Sequence, residues 1–539
     1  MKWWGWGDPA RREELPPRVL EFLRAELAVS GEPEPPVRLE DVELPESTLS
    51  KQARRALEDT VGEEWVRDDR LTRVTHAAGK GYPDLVRLRA GQAAPAPDAV
   101  AYPGRPEEVL AVLNRCGEQG VAVVPFGGGT SVVGGVEPLR DGMDAVISLD
   151  LGRMSELEGL DERSLTADLG PGMRGPQVEA ALGARGLTLG HFPQSFEYAT
   201  VGGWVATRSA GQASTGYGTI EKLVCGLRCV TPAGEIALPA VPATAAGPGL
   251  RQLLVGSEGV LGVITQATLK VRPSPRERRY EGWMFRSFED GVEAFRTLEQ
   301  RGVVPDVARL SDEQETRLSL ALAGGGSVAR RAGLGYMRAR GYGEGCIVVL
   351  GFEGERADVA RRDALAGRLL RRAGGLSLGS SPGRSWERGR YEGPYLRDAL
   401  LGHGVMAETL ETAHEWSQLL ALYRAVRDAI HGALESRGTP GLVMCHMSHL
   451  YPSGASLYFT FLAPQERGAE LEQWRAAKTA ACDAIVGAGG TITHHHAIGR
   501  DHVPWMPREI GELGVEALRS VKERLDPAGI LNPGKLLPS

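Results

Sequence analysis

Hydrophobic residues near the N-terminus recur at the spacing of one short amphipathic helix. Leu20, Leu23 and Leu27 fall on one helical face within residues 18–27, directly after two prolines. The remaining residues up to about 90 are polar and favour a helical leader. The proline and alanine content of the next stretch, Gln92–Asp98, predicts a linker.

From Ala99 onward the pattern changes to strand, helix, strand. Val100–Tyr102 and Val121–Pro125 are short apolar runs, and Pro106–Glu118 between them has apolar residues at helical spacing. This predicts a βαβ unit. The further predicted elements are strands at Ala145–Leu149 and Leu165–Leu169 and a helix at Pro176–Arg185. Such alternation favours an α/β or α+β fold over an all-helical one.

The second half of the chain shows a further α/β region. Pro273, Ser274 and Pro275 predict the edge of the first domain, and Leu238–Gly249, rich in Pro, Ala and Gly, predicts a surface loop before that edge. Alternating charges over Asp358–Arg372 are typical of a solvated helix face.

Composition narrows the class of protein. The chain has 539 residues, of which 42% are hydrophobic and 24% charged, so a single small binding module and global disorder are both excluded. Its 62 basic and 69 acidic side chains give a net charge of −7, which provides no field for holding nucleic acid. An anionic substrate must therefore be bound by local arginines.

Cysteine usage and hydropathy predict a cytoplasmic protein, soluble or peripheral to a membrane. The six cysteines form no C-x-x-C pair, and Cys225 and Cys229 lack two further ligands for a metal. No run of residues has the apolar length of a signal peptide or a membrane span. The tryptophans Trp3, Trp4 and Trp6 either contact a lipid surface or pack onto a neighbouring domain.

The strongest local signal is the glycine loop, Pro125–Gly135, which follows a predicted buried strand. Its three consecutive glycines, Gly127 to Gly129, would let backbone N–H groups approach phosphate oxygens, with the hydroxyls of Thr130 and Ser131 as additional donors. The spacing fits neither G-x-G-x-x-G nor the Walker lysine loop. A tight turn without a ligand is the alternative.

Two further segments strengthen the interpretation of a bound cofactor. Pro193–Gly211 and Gly256–Ile264 bring clustered glycines and small hydroxyl residues to loops beside strands. A long cofactor containing a diphosphate and lying between two subdomains would require such segments.

These three segments, together with Leu525–Lys535, resemble the FAD-binding domain of the vanillyl-alcohol oxidase/p-cresol methylhydroxylase family. The resemblance implies an α+β fold in which FAD lies between two subdomains, with a separate α/β substrate cap. The implied domains are a helical leader (1–91), the FAD domain (92–275), the cap (276–500) and a C-terminal segment returning to the FAD domain (501–539). Because Phe126–Gly134 contains no histidine, we expect FAD to be non-covalent.

The resemblance also implies which residues contact FAD. They are Pro125, Phe126, Gly127, Gly128, Gly129, Thr130, Ser131, Pro193, Gln194, Ser195, Phe196, Glu197, Tyr198, Ala199, Ala206, Thr207, Arg208, Ser209, Glu258, Gly259, Gly262, Val263 and Ile264.

The cap is marked by His494, His495 and His496 within the stretch 489–499. If this stretch is extended, His494 and His496 share one face and His495 points the other way, which makes a three-histidine metal site awkward. We therefore predict no metal. Structural histidines, and catalytic or phosphate-binding imidazoles, both remain as interpretations.

Upstream, Tyr458 lies between Leu457 and Phe459 in a predicted alternating strand, where core packing is the simple explanation. Together with the three histidines and the opening Lys2–Gly7, this strand resembles the alkylglycerone-phosphate synthase family. There, such a tyrosine and His-His-His run serve catalysis. Arg397 matches that family's position for the departing fatty carboxylate, and Arg309 matches another important arginine.

That resemblance implies an exchange of the acyl chain of acyl-dihydroxyacetone phosphate for a fatty alcohol, through a flavin N5 adduct without net redox change. Tyr458 would be the base, assisted by His494 to His496, which would also bind phosphate. The implied partners are a lipid-like phosphate substrate and a fatty alcohol. A peripheral membrane contact and a homodimer are left open.

Two other functions remain as alternatives. A FAD-dependent D-2-hydroxy acid dehydrogenase or oxidase, acting on lactate or glycolate, shares the FAD domain and also places histidines and an arginine at its substrate. The third alternative is a flavin-binding protein without catalysis.

Overall fold

The computed structural model describes residues 1–11, 14–29, 32–322 and 328–538. Arg12, Glu13, Ser30 and Gly31 of the predicted leader and Ser539 of the predicted C-terminal segment lie outside the described residues. Within the described ranges, none of the helices combines the length and the apolar composition needed to cross a membrane.

The N-terminal 91 residues are largely irregular, with short helices. Their elements are α1 (Pro17–Leu27), a 3₁₀ turn (Leu39–Asp41), α2 (Lys51–Val61), a second 3₁₀ turn (Glu63–Trp65), β1 (Val66–Arg67), α3 (Arg70–Thr75) and α4 (Tyr82–Arg89). The predicted helix is α1, whose buried Val19, Leu23 and Leu27 pack against cap residues that include Val405 and Met444. Helix α1 of the leader thus packs against the cap.

Two of the N-terminal tryptophans are buried. Trp6 meets the ring of Tyr198 edge-on at 5.3 Å, and its backbone N–H donates a hydrogen bond to the Asp398 carboxylate. Trp3 is 8% exposed and packs within the leader. For these two rings the structure shows packing onto neighbouring segments of the chain.

The predicted βαβ unit is confirmed. Its elements are β2 (Ala99–Ala101), α5 (Pro106–Gln119), β3 (Val121–Phe126) and β4 (Ala145–Asp150), in a sheet of order β1-β2-β4-β3. β2 and β3 both run parallel to β4. Helix α5 starts at a proline and ends at Gly120, which has a positive φ of 62° and suits the C-cap. At the far end of the chain, Ile530 and Asn532 bond to Val123, alongside β3.

A second, antiparallel sheet follows, with order β5-β6-β10-β8-β9. Its region contains β5 (Leu157–Asp161), β6 (Thr166–Leu169), α6 (Gly175–Gly183), β7 (Leu187–Thr188), α7 (Val201–Thr207), α8 (Ser214–Tyr217), α9 (Ile220–Leu223), β8 (Val224–Thr231), β9 (Gly234–Leu238), α10 (Leu250–Leu254), β10 (Val263–Lys270) and β11 (Arg272–Pro273). The sequence pattern does not predict β5, because none of its residues is fully buried. The stretch 239–249 is exposed, as predicted for a surface loop.

The cap is built on a seven-stranded antiparallel sheet of order β15-β12-β14-β13-β17-β18-β16. Its elements are β12 (Glu277–Phe285), α11 (Phe288–Gln300), β13 (Val307–Ser311), α12 (Glu313–Leu322), α13 (Val328–Ala339), β14 (Cys346–Gly354), α14 (Arg356–Arg372), β15 (Leu376–Gly379), α15 (Ser380–Gly389), α16 (Gly393–Gly402), β16 (Val405–Glu415), α17 (Trp416–Glu435), β17 (Leu442–Tyr451), β18 (Gly454–Pro464) and α18 (Glu470–Gly487). Helices that include α17 and α18 cover one face of this sheet and enclose the largest apolar cluster. Part of the opposite face packs against α1, and the rest carries the site described below.

The chain then returns to the first sheets through a loop, a 3₁₀ turn (Val503–Trp505), α19 (Met506–Ile510) and α20 (Glu512–Leu525). Trp505, Met506 and Val515 pack into the apolar cluster of the antiparallel five-stranded sheet. The three histidines lie in the loop that makes this crossing.

Candidate active site

Strand register places three polar side chains in one row on the face of the cap sheet opposite α17 and α18. Tyr458 on β18 lies directly opposite Glu411 on β16 and opposite His446 on β17. Their chain neighbours, such as Leu457 and Phe459, point to the other face and pack against the cap helices. Because side chains alternate along a strand, Tyr458 points away from the apolar core, whereas its chain neighbours Leu457 and Phe459 are part of that core.

The ring of Tyr458 lies among imidazoles. It stacks on His446 with ring centroids 4.8 Å apart and on His495 at 6.1 Å, and it meets His496 edge-on at 5.5 Å. Burial raises the pKa of Tyr458 to about 12, and the Glu411 carboxylate adds to this shift, although a hydrogen bond with Thr409 opposes it. Near neutral pH the side chain is therefore a neutral phenol that donates a hydrogen bond.

Glu411 organises the histidine loop, residues 491–501. Its two carboxylate oxygens accept hydrogen bonds from the backbone N–H groups of His494, His495 and His496 at 2.6 to 2.9 Å, and from the hydroxyl of Thr493 at 2.9 Å. The stretch is bent around this carboxylate, so the condition of an extended chain with alternating faces is not met. One buried anion that satisfies several N–H donors fixes the bend.

The protonation states in this loop follow from burial and charge. Burial raises the pKa of Glu411, but His495, His496 and hydrogen bonding outweigh it and hold that pKa well below its usual range. Burial lowers the pKa of His494 to about 4 and that of His496 to about 3. Both imidazoles are therefore neutral near pH 7 and can accept a proton.

Arg309 contacts His446, and His446 stacks on Tyr458 in this row. One Nη of Arg309 donates to Oε1 of Glu315 at 2.6 Å, and the guanidinium lies 3.1 to 3.2 Å from the ring nitrogens of His446. Burial raises the pKa of Glu315, but the charges of Arg309 and His446 and the hydrogen bonds to this carboxylate together outweigh it, and the pKa falls to about 2. We call Tyr458, Glu411, His446 and His494 to His496 together the histidine wall.

Arg397 is placed differently. It lies on α16, where one Nη donates to the backbone oxygen of Lys80 at 2.6 Å, and its buried Nε has no hydrogen-bond partner among the described residues. The N–H of Lys80 in turn donates to the oxygen of Ser131, at 2.6 Å. Arg397 therefore contacts the leader beside the glycine loop rather than the histidines.

The glycine loop fits a diphosphate. A Cβ on Gly127 would lie 2.3 Å from Oγ1 of Thr200, and one on Gly128 would lie 2.0 Å from the backbone oxygen of Tyr198. The loop thus requires residues without side chains at its contact with the second predicted segment. Within the described chain the N–H groups of Gly128, Gly129 and Thr130 donate no hydrogen bond, which leaves them for an anion.

The second and third predicted segments are joined to each other. The N–H of Glu258 donates to the oxygen of Ala206 at 2.9 Å, and the guanidinium of Arg208 donates to the oxygens of Val255 and Gln252. Among the other predicted contacts, Gln194 donates to the oxygen of Arg390, Glu197 accepts from Tyr395, Phe196 stacks on Tyr391, and Val263 and Ile264 begin β10.

Glu258 links this region to the histidine loop. Its carboxylate accepts the N–H groups of Ile498 and Gly499 at 2.8 and 2.7 Å, and burial raises its pKa to about 7. The oxygen of Val133, in the glycine loop, accepts the N–H groups of Arg500 and Asp501. The histidine loop is therefore held at one end by Glu411 of the cap and at the other end by the cofactor region.

Several site residues are missed by the sequence pattern. His446 and His449 lie on β17, where a register irregularity between Met447 and Leu450 breaks simple alternation, and the ring of His449 stacks on His494 at 5.1 Å. The sequence signal for these two histidines is their His-x-x-His spacing, shortly before the predicted strand that contains Tyr458. His191, just ahead of the second segment, is buried with one ring nitrogen 2.7 Å from Oγ of Ser209, and burial lowers its pKa to about 3.

Some of the donor atoms that come nearest to a metal geometry already make hydrogen bonds, whereas Nδ1 of His449 and Nδ1 of His496 have no hydrogen-bond partner among the described residues. Among the described residues, donor atoms of His449, His494 and His495, and of Glu411, His495 and His496, lie within 4.8 Å of one another. The oxygens of Glu411 already accept N–H groups, and a ring nitrogen of His494 is bonded to Tyr451. The absence of a metal stays a prediction.

Comparisons with known proteins identify the family of this chain. A family model described as FAD binding domain matches residues 97–237, and one described as FAD linked oxidases, C-terminal domain, matches 274–536. The chain is 35% identical to alkyldihydroxyacetonephosphate synthase from Trypanosoma brucei brucei, over 100% of this chain and 92% of that one. It is 33% identical to that of Dictyostelium discoideum, over 100% and 94%. A solved alkyldihydroxyacetonephosphate synthase superposes with a TM-score of 0.87, at 31% identity and 99% coverage of both chains.

More distant matches bear on the fold class and on the oxidase alternative. Solved p-cresol methylhydroxylase superposes with a TM-score of 0.67 at 15% identity, covering 90% of this chain and 96% of that one, which shows a shared fold. The glycolate oxidase subunit GlcD of Bacillus subtilis is 24% identical over 82% of this chain and 89% of its own.

Proposed function

Because this chain belongs to the alkyldihydroxyacetonephosphate synthase family, we propose that it exchanges the acyl chain of acyl-dihydroxyacetone phosphate for a fatty alcohol. The product is an ether-lipid precursor, and the exchange involves no net redox change. The observation that carries the proposal is the histidine wall, in which a phenol and neutral imidazoles converge on the sheet face that the histidine loop joins to the cofactor region.

The chain is a FAD-dependent enzyme. We propose that the glycine loop and its partner segments hold FAD non-covalently, and that the chain divides at about residues 91, 275 and 500. When bound, the flavin supplies the nucleophile for carbon 1 of the substrate. His76 packs on Phe126 of the glycine loop, with ring centroids 4.3 Å apart. Its two ring nitrogens are hydrogen-bonded to Thr72 and Asp150, which leaves neither nitrogen for a covalent bond to the flavin and supports non-covalent binding.

The protonation states refine the assignment of roles. A phenol with a pKa of about 12 is a poor base at neutral pH, and the lowered pKa values of His494 and His496 make them weak bases, so we assign the removal of the proton next to the ketone to His495, whose Nδ1 lies 3.3 Å from the Glu411 carboxylate. Tyr458 then acts as a hydrogen-bond donor to the substrate oxygen. Arg309 positions Tyr458 through His446.

The remaining substrate contacts are assigned by chemistry. An imidazole of the histidine loop also binds the substrate phosphate. Arg397 holds the departing fatty carboxylate, for which its unpaired Nε offers a donor. The partners are then a lipid phosphate and a fatty alcohol, met in the cytoplasm. A membrane contact or a homodimer would use surfaces other than the buried Trp3 and Trp6.

The test is direct. Purified flavin-loaded protein is incubated with acyl-dihydroxyacetone phosphate and labelled hexadecanol, without an electron acceptor. We expect one fatty acid released for each labelled ether formed. Bleaching of the flavin by D-lactate or glycolate, with no ether formed, would instead establish the hydroxy-acid dehydrogenase.

A further inference from the structure

Tyr451 connects the histidine loop to the protein surface. It is the last residue of β17, and its hydroxyl oxygen lies 2.6 Å from Nε2 of His494. Tyr451 is also one of the residues that line an open cavity of about 460 Å³, together with polar residues that include His414, Ser453 and Glu509. Tyr451 therefore touches both the histidine loop and a space that water can fill.

The hydrogen-bonded chain continues inward. Nδ1 of His494 lies 2.9 Å from Nδ1 of His495, and the ring of His495 stacks on Tyr458. Nδ1 of His495 also lies 3.3 Å from the Glu411 carboxylate, which favours a proton on that nitrogen and leaves Nε2 free to accept one. In this tautomer His495 donates to His494 and His494 donates to the oxygen of Tyr451, so the hydroxyl proton of Tyr451 is left for another acceptor.

The proposed reaction needs such a route, and the inference rests on that function. The bond between carbon 1 and the ester oxygen breaks, and the fatty carboxylate leaves with the electron pair. The bond between carbon 1 and the alcohol oxygen forms, and the alcohol loses its proton. Because a carboxylic acid with a pKa near that of Glu, about 4.3, stays ionised at neutral pH, one proton is released in each turnover.

We propose that His495, His494 and Tyr451 form the exit path for this proton. His495 takes it at Nε2 and passes its Nδ1 proton to His494. His494 passes its Nε2 proton to the oxygen of Tyr451, whose own proton moves to water in the cavity. One proton enters the chain at His495 and one leaves it at Tyr451. After this transfer His495 and His494 are in the opposite tautomers, and both must return to the starting tautomers before the next turnover.

The test is Tyr451→Phe in the flavin-loaded enzyme, which removes the hydroxyl and keeps the ring. We expect kcat for ether formation to fall at least about tenfold with KM unchanged, and to recover as imidazole is added as a mobile proton carrier. Ser453→Ala, which changes the same cavity outside the path, should match the parent at every imidazole concentration. A Tyr451→Phe rate equal to the parent, or a low rate that imidazole does not restore, would overturn the path.

A second measurement separates this inference from the proposed function. In ¹⁵N-histidine-labelled holoenzyme, Tyr451→Phe should change the ring-nitrogen signals of His494 and also of His495, assigned with His494→Gln and His495→Gln. A change confined to His494 would show that no coupled chain exists. A parent enzyme that forms no ether would defeat the proposed function alone, while the spectra would still decide whether the chain is coupled.

Discussion

The glycine loop and the histidine wall are built in contrasting ways. The glycine loop is one continuous run of the chain, and its ligand-binding groups are backbone N–H donors that no other described residue uses. The histidine wall collects side chains from three strands and a distant loop, aligned by sheet register and by one buried carboxylate. The first depends on side chains being absent, and the second depends on pairing between distant segments.

The two regions meet in the histidine loop, which Glu411 holds on the cap side and Glu258 and Val133 hold on the cofactor side. A disruptive substitution in the glycine loop should therefore abolish FAD binding. A substitution in the histidine wall should instead slow turnover in a protein that still binds FAD. Flavin content and turnover are separate measurements, so substitutions can test this division.

The largest effect is expected from Gly128→Ala. The added Cβ would lie 2.0 Å from the backbone oxygen of Tyr198, so the loop or its partner segment must move. We expect a protein without bound flavin and without activity, measured by flavin absorbance after gel filtration. Gly183→Ala, where a Cβ meets open space, is the control and should stay yellow. A flavin-saturated Gly128→Ala protein would contradict the placement of the cofactor.

Tyr458→Phe should break the wall and leave the cofactor in place. The ring keeps its stacking on His446, but the phenol donor is lost. We expect normal flavin content and a fall in ether formation of about a hundredfold or more, as for loss of a hydrogen-bond donor to the reacting oxygen. Full activity would remove Tyr458 from the mechanism.

Glu411→Gln should have the next largest effect, because an amide cannot accept all the N–H groups that the carboxylate accepts. The loss of about 1–3 kcal/mol of hydrogen bonding should disorder the loop and slow ether formation by about ten- to a hundredfold. Flavin content is the internal reference, and Glu435→Gln, at the exposed end of α17, is the control. An unchanged rate would mean that the loop holds its bend without this anion.

The same contrast explains what the sequence could predict. The glycine loop is contiguous, and Tyr458 follows strand alternation, so local patterns identify both. Glu411 and His446 join the site only because β16, β18 and β17 are neighbours, and no local pattern contains that pairing. The histidine stretch is not extended, because a buried carboxylate from another strand bends it, and the local sequence does not show that carboxylate. The pKa of Tyr458 likewise depends on burial, which the alternation of a strand does not give.

The smallest effect is expected from a substitution of Arg309, which contacts both His446 of the histidine wall and Glu315. The pKa of Glu315 is about 2 when folded, below its usual 4.5, so its contribution to the free energy of unfolding is present above pH 4.5 and lost as pH falls toward 2. Arg309→Met removes the largest favourable charge from this buried carboxylate and leaves His446 as its partner, so burial should raise that pKa from its folded value. The variant should then be least stable near pH 7 and approach the parent as pH falls to 4. Urea unfolding from pH 4 to 7 measures this, with Arg301→Met, at an exposed position, as control. A deficit that is constant with pH would show that Arg309 supports His446 by packing alone.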